Sequence, residues 1–227
     1  MWIGWRSWTR TARRLERITR WRLRYERCSD SRTVGPSDWR GEDGPTVRPS
    51  VVVCNLSTSL VVEDAARALG AEIVRTPVGE VHVARAILRL SAVIGGEGNG
   101  GVIYPALHVG RDAPVAAALV LELLARTGKR VSEVVAAAPR YTIVKGKLER
   151  GTRNAEQGME RVYAALRARF PDASVDPQDG LRLAWRDRWL HVRPSNTEPI
   201  IRLIAEAPSG ALARELVDEG RRLCAAS

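Results

Sequence analysis

From Ser50 onward the chain repeats one pattern: a short apolar run, a polar cap, an amphipathic stretch and a glycine. "SVVVCNL" is apolar at consecutive positions rather than alternate ones, which fits a strand covered on both faces. "STS" then offers N-caps for "LVVEDAARAL", and Gly70 stands where a helix C-cap belongs. "AEIVR" reads as a second strand and "TPVG" as a loop. "EVHVARAILRL" reads as a helix with Val81, Ala84, Ile87 and Leu88 on one face. "AVIGG" is a third buried strand, followed by the loop "EGNGG" and the short strand "VIYP". A helix "APVAAALVLELLAR" follows, closed by Gly128. Strands alternating with helices at this spacing predict βαβ units and a mostly parallel sheet.

After the short helix and connector "KRVSEVVAAAPR" the period changes. "YTIVKGKLE" alternates like a half-exposed strand, and "NAEQGMERVYAALRARF" is amphipathic. "GLRLAW" and "WLHVRP" predict a hairpin around "RDR"; "IIRLIAEA" is another alternating strand and "SGALARELVDEGRRLCA" a final helix. Helices on one face of an antiparallel sheet make a small α+β domain. The predicted division is an α/β domain over 50–139 and an α+β domain over 140–227.

Residues 1–49 read differently. Five of the seven Trp lie there, and residues 1–50 hold 12 Arg, no Lys and 6 acidic residues, a large share of the net charge of +10. One reading is a basic amphipathic helix over about 9–27 that binds nucleic acid or an anionic surface. The other is a disordered or spurious leader, and composition favours it. Arg outnumbers Lys 33 to 3 across the chain, a bias that GC-rich coding DNA produces, even from a wrong start or frame. The body carries 24 basic and 20 acidic residues, a modest excess that suits a small anionic substrate as well as it suits a polynucleotide; the expectation is a small-molecule partner, with no nucleic acid and no membrane. Cys28, Cys54 and Cys224 are isolated, which argues against a disulfide framework or a zinc knuckle and fits a reducing cytoplasm.

Two loops carry chemistry. "IGGEGNGGVIYP" sets Glu97 and Asn99 just past a buried strand, where open α/β sheets bind ligands. A carboxylate and an amide at i and i+2 suit neighbouring hydroxyls, as on a sugar ring; the competing reading is a solvated glycine turn. "VRPSNTEPIIR" interrupts an alternating strand with Arg193, Ser195, Asn196 and Thr197, between Pro194 and Pro199. Arg193 can bind a phosphate bidentately, and the restricted backbone arranges the other donors in advance. The competing reading is a turn whose side chains bond their own backbone. His108, Arg111 and Asp112 precede a helix, with Asp112 as its cap. His82 and His191 read as structural or solvated.

Both loops, together with "VVVCNLSTS", "VRTPVGEVHVA", "DGLRLAW" and "WLHVRPSNTEPIIRLIAEA", resemble the C-terminal half of the α-D-phosphohexomutase family over roughly 50–227. The resemblance implies an α/β domain whose G-E-x-S/N-G loop recognises sugar hydroxyls, here through Glu97 and Asn99 with Gly98 setting the turn. It implies a second, TATA-binding-protein-like domain that grips the substrate phosphate through Arg193, Ser195, Asn196, Thr197 and Arg202. Many members follow the sugar loop with Gly-His; here Gly100 and Gly101 stand instead, so that histidine has no counterpart.

The family's phosphoserine loop, T-A-S-H-N-P, and its Mg²⁺ loop, D-x-D-x-D-R, are absent from this sequence. The resemblance therefore implies hexose phosphate recognition with no catalytic residue and no metal or other cofactor bound by this chain. In the full-length family it implies Mg²⁺ and a hexose bisphosphate activator. A separate chain carrying the first two domains would be the natural partner. The alternative is a stand-alone sugar-phosphate-binding module without catalysis.

Overall fold

The computed structural model describes residues 50–149, 155–195 and 197–226. The basic leader and Asn196 lie outside them. The first sheet has the order β2-β1-β3-β4, built from β1 (Val51–Asn55), β2 (Glu72–Thr76), β3 (Ile94–Gly96) and β4 (Val102–Ile103). β1 pairs in parallel with β2 and β3, while β4 runs antiparallel to β3. The consecutive apolar run of β1 has the predicted consequence. Val52 and Cys54 join a core with α1 (Leu60–Ala68) and α3 (Ala113–Thr127), whereas Val53 turns to the opposite core with α2 (Glu80–Leu90).

The helix ends follow from local chemistry. Ser59 Oγ accepts from Val61 N at 3.2 Å to cap α1, and Asp112 Oδ1 accepts from Val115 N at 2.8 Å to cap α3. On α2 the buried residues are Val83, Ala86 and Ile87, while Val81 and Leu88 are 57% and 64% exposed. The predicted apolar face was therefore rotated. Ile87 belongs to the core, but α2 turns Val83 and Ala86 to the sheet, and its flanking Val81 and Leu88 face outward.

The second sheet is antiparallel throughout, with the order β5-β9-β8-β7-β6. Its strands are β5 (Thr142–Glu149), β6 (Ser174–Asp176), β7 (Leu181–Ala184), β8 (Trp189–Pro194) and β9 (Ile200–Ala207). Between the sheets runs the short helix α4 (Val131–Ala136); α5 (Ala155–Arg169) and α6 (Gly210–Ala226) cover one face of the second sheet. Leu181, Leu183, Leu190, Val192, Leu203 and Ala205 pack against Leu166, Leu216 and Val217 there. The observed architecture is thus an α/β domain followed by a small α+β domain. Among the described residues no helix is long and apolar enough to cross a membrane.

Alternation along β7, β8 and β9 predicts a second face open to water. Over much of its area that face is instead closed, though Ile200, Arg202 and Ile204 stay half-buried. Arg182, His191, Arg193 and Glu206 are all less than 8% exposed, because it meets the first domain. Glu206 Oε2 accepts both Leu60 N, at the start of α1, and Trp189 Nε1, each at 2.8 Å. Tyr141 Oη donates to Asp64 at 2.9 Å, and Ser57 Oγ lies 3.0 Å from His191 Nδ1. Burial raises the pKa of Glu206 above the usual carboxylate range. Among the described residues Glu206 Oε1, Arg75 Nη2 and Arg182 Nε are buried without a hydrogen-bond partner.

Candidate functional site

The candidate site lies where the parallel strands β1, β2 and β3 all end. Asn55 closes β1, and its side chain is committed in three directions. Oδ1 accepts from Ser57 N (3.1 Å) and Thr58 Oγ1 (2.8 Å), and Nδ2 donates to Glu97 Oε1 at 3.0 Å. Beneath it Arg75 pairs with Glu63 at 2.6 Å and donates through Nη1 to the carbonyls of Asn55 and Thr58, which holds the β1–α1 turn in shape.

Glu97 follows β3 and is 4% exposed. Its Oε1 also accepts from Gly79 N at 3.1 Å, whereas among the described residues Oε2 has Arg111 Nη1 at 4.0 Å. One oxygen is thus fixed by hydrogen bonds and the other keeps its acceptor capacity. Gly98 lets this loop lie against the neighbouring turn, since a Cβ there would sit 3.0 Å from Ser57 O and 3.2 Å from Thr58 Cα. Asn99 is exposed and turns its Oδ1 back onto Gly101 N at 3.0 Å, so its amide nitrogen is what it can offer. Arg111 is braced by Glu80 at 2.7 Å, and Asp112 caps α3 while bonding His108 Nε2 at 2.8 Å.

The interruption in "VRPSNTEPIIR" is the hairpin between β8 and β9. Its register sets Arg193 directly opposite Arg202, two like charges in a position that is ordinarily unfavourable without an anion between them. Each guanidinium has one carboxylate: Arg193 Nε donates to Asp179 Oδ2 at 3.0 Å, and Arg202 Nη2 donates to Glu198 Oε2 at 2.6 Å. Ser195 Oγ accepts from Arg202 Nε at 3.2 Å and has Thr197 N at 3.5 Å. Among the described residues the Arg193 side chain bonds through Nε, leaving its two terminal nitrogens for a ligand.

The two loops meet. Val78 N, in the loop that also binds Glu97 through Gly79, donates to Asp179 Oδ2 at 3.0 Å. The same oxygen holds Arg193. Asp179 O accepts from His191 Nε2 at 2.7 Å, which fixes that nitrogen as the donor and leaves Nδ1 to accept from Ser57 Oγ. Burial first, with Arg193 and Arg182 nearby, pushes the His191 pKa down to about 4, so the ring is neutral at physiological pH. Sequence reasoning passed over Asn55 and Asp179. The signals were a polar residue ending an apolar strand and an Asp-Gly pair before β7. Among the described residues no three His, Cys, Asp or Glu side chains gather as a metal ligand set.

Comparison with known proteins adds a family. Residues 39–141 match the model of phosphoglucomutase/phosphomannomutase alpha/beta/alpha domain III, and residues 144–223 match that of the phosphoglucomutase/phosphomannomutase C-terminal domain. A "Probable phosphoglucosamine mutase" of Methanopyrus kandleri is 42% identical over 171 residues, covering 75% of this chain and 37% of its own length. A "Phosphoglucomutase/phosphomannomutase" of Thermococcus kodakarensis is 38% identical over 175 residues, covering 76% of this chain and 37% of its own length. A crystal structure of a phosphoglucomutase/phosphomannomutase family protein from Burkholderia thailandensis shares the fold, with a TM-score of 0.64 and 24% identity over 78% of this chain and 38% of that one. The chain thus spans a little over a third of the length of these relatives.

Proposed function

Because the chain belongs to the phosphoglucomutase/phosphomannomutase family, carrying its domain III and C-terminal domain, we propose that it is the substrate-recognition part of a cytoplasmic phosphohexomutase. The reaction served is phosphoryl transfer between the 6- and 1-positions of a hexose phosphate, and the names of the relatives favour glucosamine, glucose or mannose phosphates. The terminal nitrogens of Arg193, with Arg202, Ser195, Asn196 and Thr197, would take the phosphate; bidentate guanidinium contacts suit that geometry. Glu97 Oε2 and the Asn99 amide would take ring hydroxyls, with Gly98 setting the turn that lies against Ser57 and Thr58. One observation carries this reading: Asp179 links the loop that holds Glu97 to the strand that bears Arg193, within hydrogen bonds of 3.0–3.1 Å.

Orientation by these loops lowers the entropic cost of reaction but supplies no phosphoryl donor. The donor serine and the Mg²⁺ that activates it would come from a partner carrying the family's other domains. The stand-alone sugar-phosphate-binding module is the second reading. Calorimetric titration with glucosamine 6-phosphate and glucose 6-phosphate is expected to detect binding, and Arg193→Ala to weaken it by about tenfold or more. Unchanged affinity in that variant would remove the phosphate seat. A mutase assay of this chain alone, with Mg²⁺ and a hexose bisphosphate, is expected to give no turnover; turnover would contradict the missing donor.

A further inference from the structure

Asp179, the first residue of "DGLRLAW", is given no ligand contact by the substrate reading, yet it joins the 76–80 loop to β8. Its Oδ2 accepts Val78 N from the first domain and Arg193 Nε from the second, both at 3.0 Å. The Asp179 side chain is 18% exposed and that of Arg193 is 8%, so the pair is largely shielded from water and screening. The backbone around it is built for this contact. Gly180 has φ +75°, and a Cβ there would lie 2.5 Å from Val192 O and 2.9 Å from Arg193 Cα. Only glycine lets the turn press against β8 closely enough to bring Asp179 to the Arg193 side chain. The Asp179 carbonyl is tied in turn to the buried His191.

We propose that Asp179 is a positioning residue that clasps the two loops, orienting Arg193 for a phosphate and transmitting its occupancy to Glu97. This rests on the phosphate-seat reading above. By taking Nε, Asp179 restrains the guanidinium plane and leaves both terminal nitrogens without a hydrogen-bond partner among the described residues. By taking Val78 N with the same oxygen, it ties that plane to the 76–80 loop, whose Gly79 N sets the Glu97 carboxylate. A shift of Arg193 toward a bound anion pulls on both.

The competing expectation has the opposite sign. If Asp179 were only a counter-ion, removing its negative charge beside an anion seat would tighten phosphate binding. If it is the clasp, Asp179→Asn weakens binding, because an amide lacks the charge that holds Nε. Wild type, Asp179→Asn and Arg193→Ala are titrated with inorganic phosphate and with glucose 6-phosphate, and the backbone amides of Val78 and Gly79 are followed by ¹⁵N NMR. The expected result is a loss of about tenfold in affinity for both ligands in Asp179→Asn. Inorganic phosphate should also move the Gly79 amide in wild type but not in that variant. Equal or tighter phosphate binding by Asp179→Asn overturns the clasp, as does a wild-type Gly79 amide that stays still at phosphate saturation. If Arg193→Ala weakens binding while Asp179→Asn does not, the seat stands and only the clasp fails. If Arg193→Ala changes nothing, both fail.

Discussion

His191 has both ring nitrogens engaged between the domains, one on Ser57 and one on the Asp179 carbonyl. Its pKa is pushed down to about 4 from an ordinary 6.5, chiefly by burial. Between those values the unfolded chain binds the extra proton and the folded one does not. The stabilisation is therefore present above pH 6.5 and is lost as pH falls toward 4. Across that window the loss amounts to about 3 kcal/mol. Urea unfolding at a series of pH values checks this: His191→Gln, which keeps one donor and one acceptor, should flatten the slope between pH 6.5 and 4. A slope equal to that of wild type would show that another group titrates there.

At the scale of elements, α2 tests how far periodicity alone determines packing. Ile87 is 1% exposed and lies in the core of the first domain, while its neighbour Leu88 is 64% exposed. Ile87→Ala should cost about 2–5 kcal/mol, the sum of lost transfer energy and a cavity. Leu88→Gln should stay within about 0.5 kcal/mol. Thermal unfolding of both variants is the measurement, and equal losses would mean that α2 is rotated from the orientation described. The sequence showed that α2 exists and is amphipathic, since an i, i+3, i+4 pattern is visible locally. It did not show the centre of the buried stripe, because Val81 and Leu88 are as apolar as Val83 and Ile87. Which of them is buried depends on where α2 lies against β1 and β3.

For the whole molecule, the interface between the domains is polar and buried at once. Glu206 is 0% exposed, 146 residues along the chain from Leu60, whose amide it accepts. Glu206→Ala would leave Leu60 N and Trp189 Nε1 without their acceptor, costing roughly 2–5 kcal/mol. Wild type is expected to unfold in one calorimetric transition, with the variant splitting or broadening it, and Glu206→Gln, which keeps an acceptor oxygen, recovering most of the loss. A single sharp transition in Glu206→Ala would mean that the domains are held together elsewhere.

The strands, the helices and the two loops were legible because each rests on short-range facts: consecutive or alternating apolar residues, capping side chains, glycines and prolines at fixed offsets. The family resemblance was legible for the same reason, as its motifs are contiguous. The closing of the polar face of the second sheet was not, nor were the partners of Asn55, Asp179 and His191. An alternating strand reads the same whether its polar side meets water or another domain. Asn55 reaches Glu97 within the first domain, 42 residues on, and His191 reaches the Asp179 carbonyl within the second, 12 residues away. Val78–Asp179, Ser57–His191 and Leu60–Glu206, 101, 134 and 146 residues apart, come within hydrogen-bond reach only because one domain packs on the other.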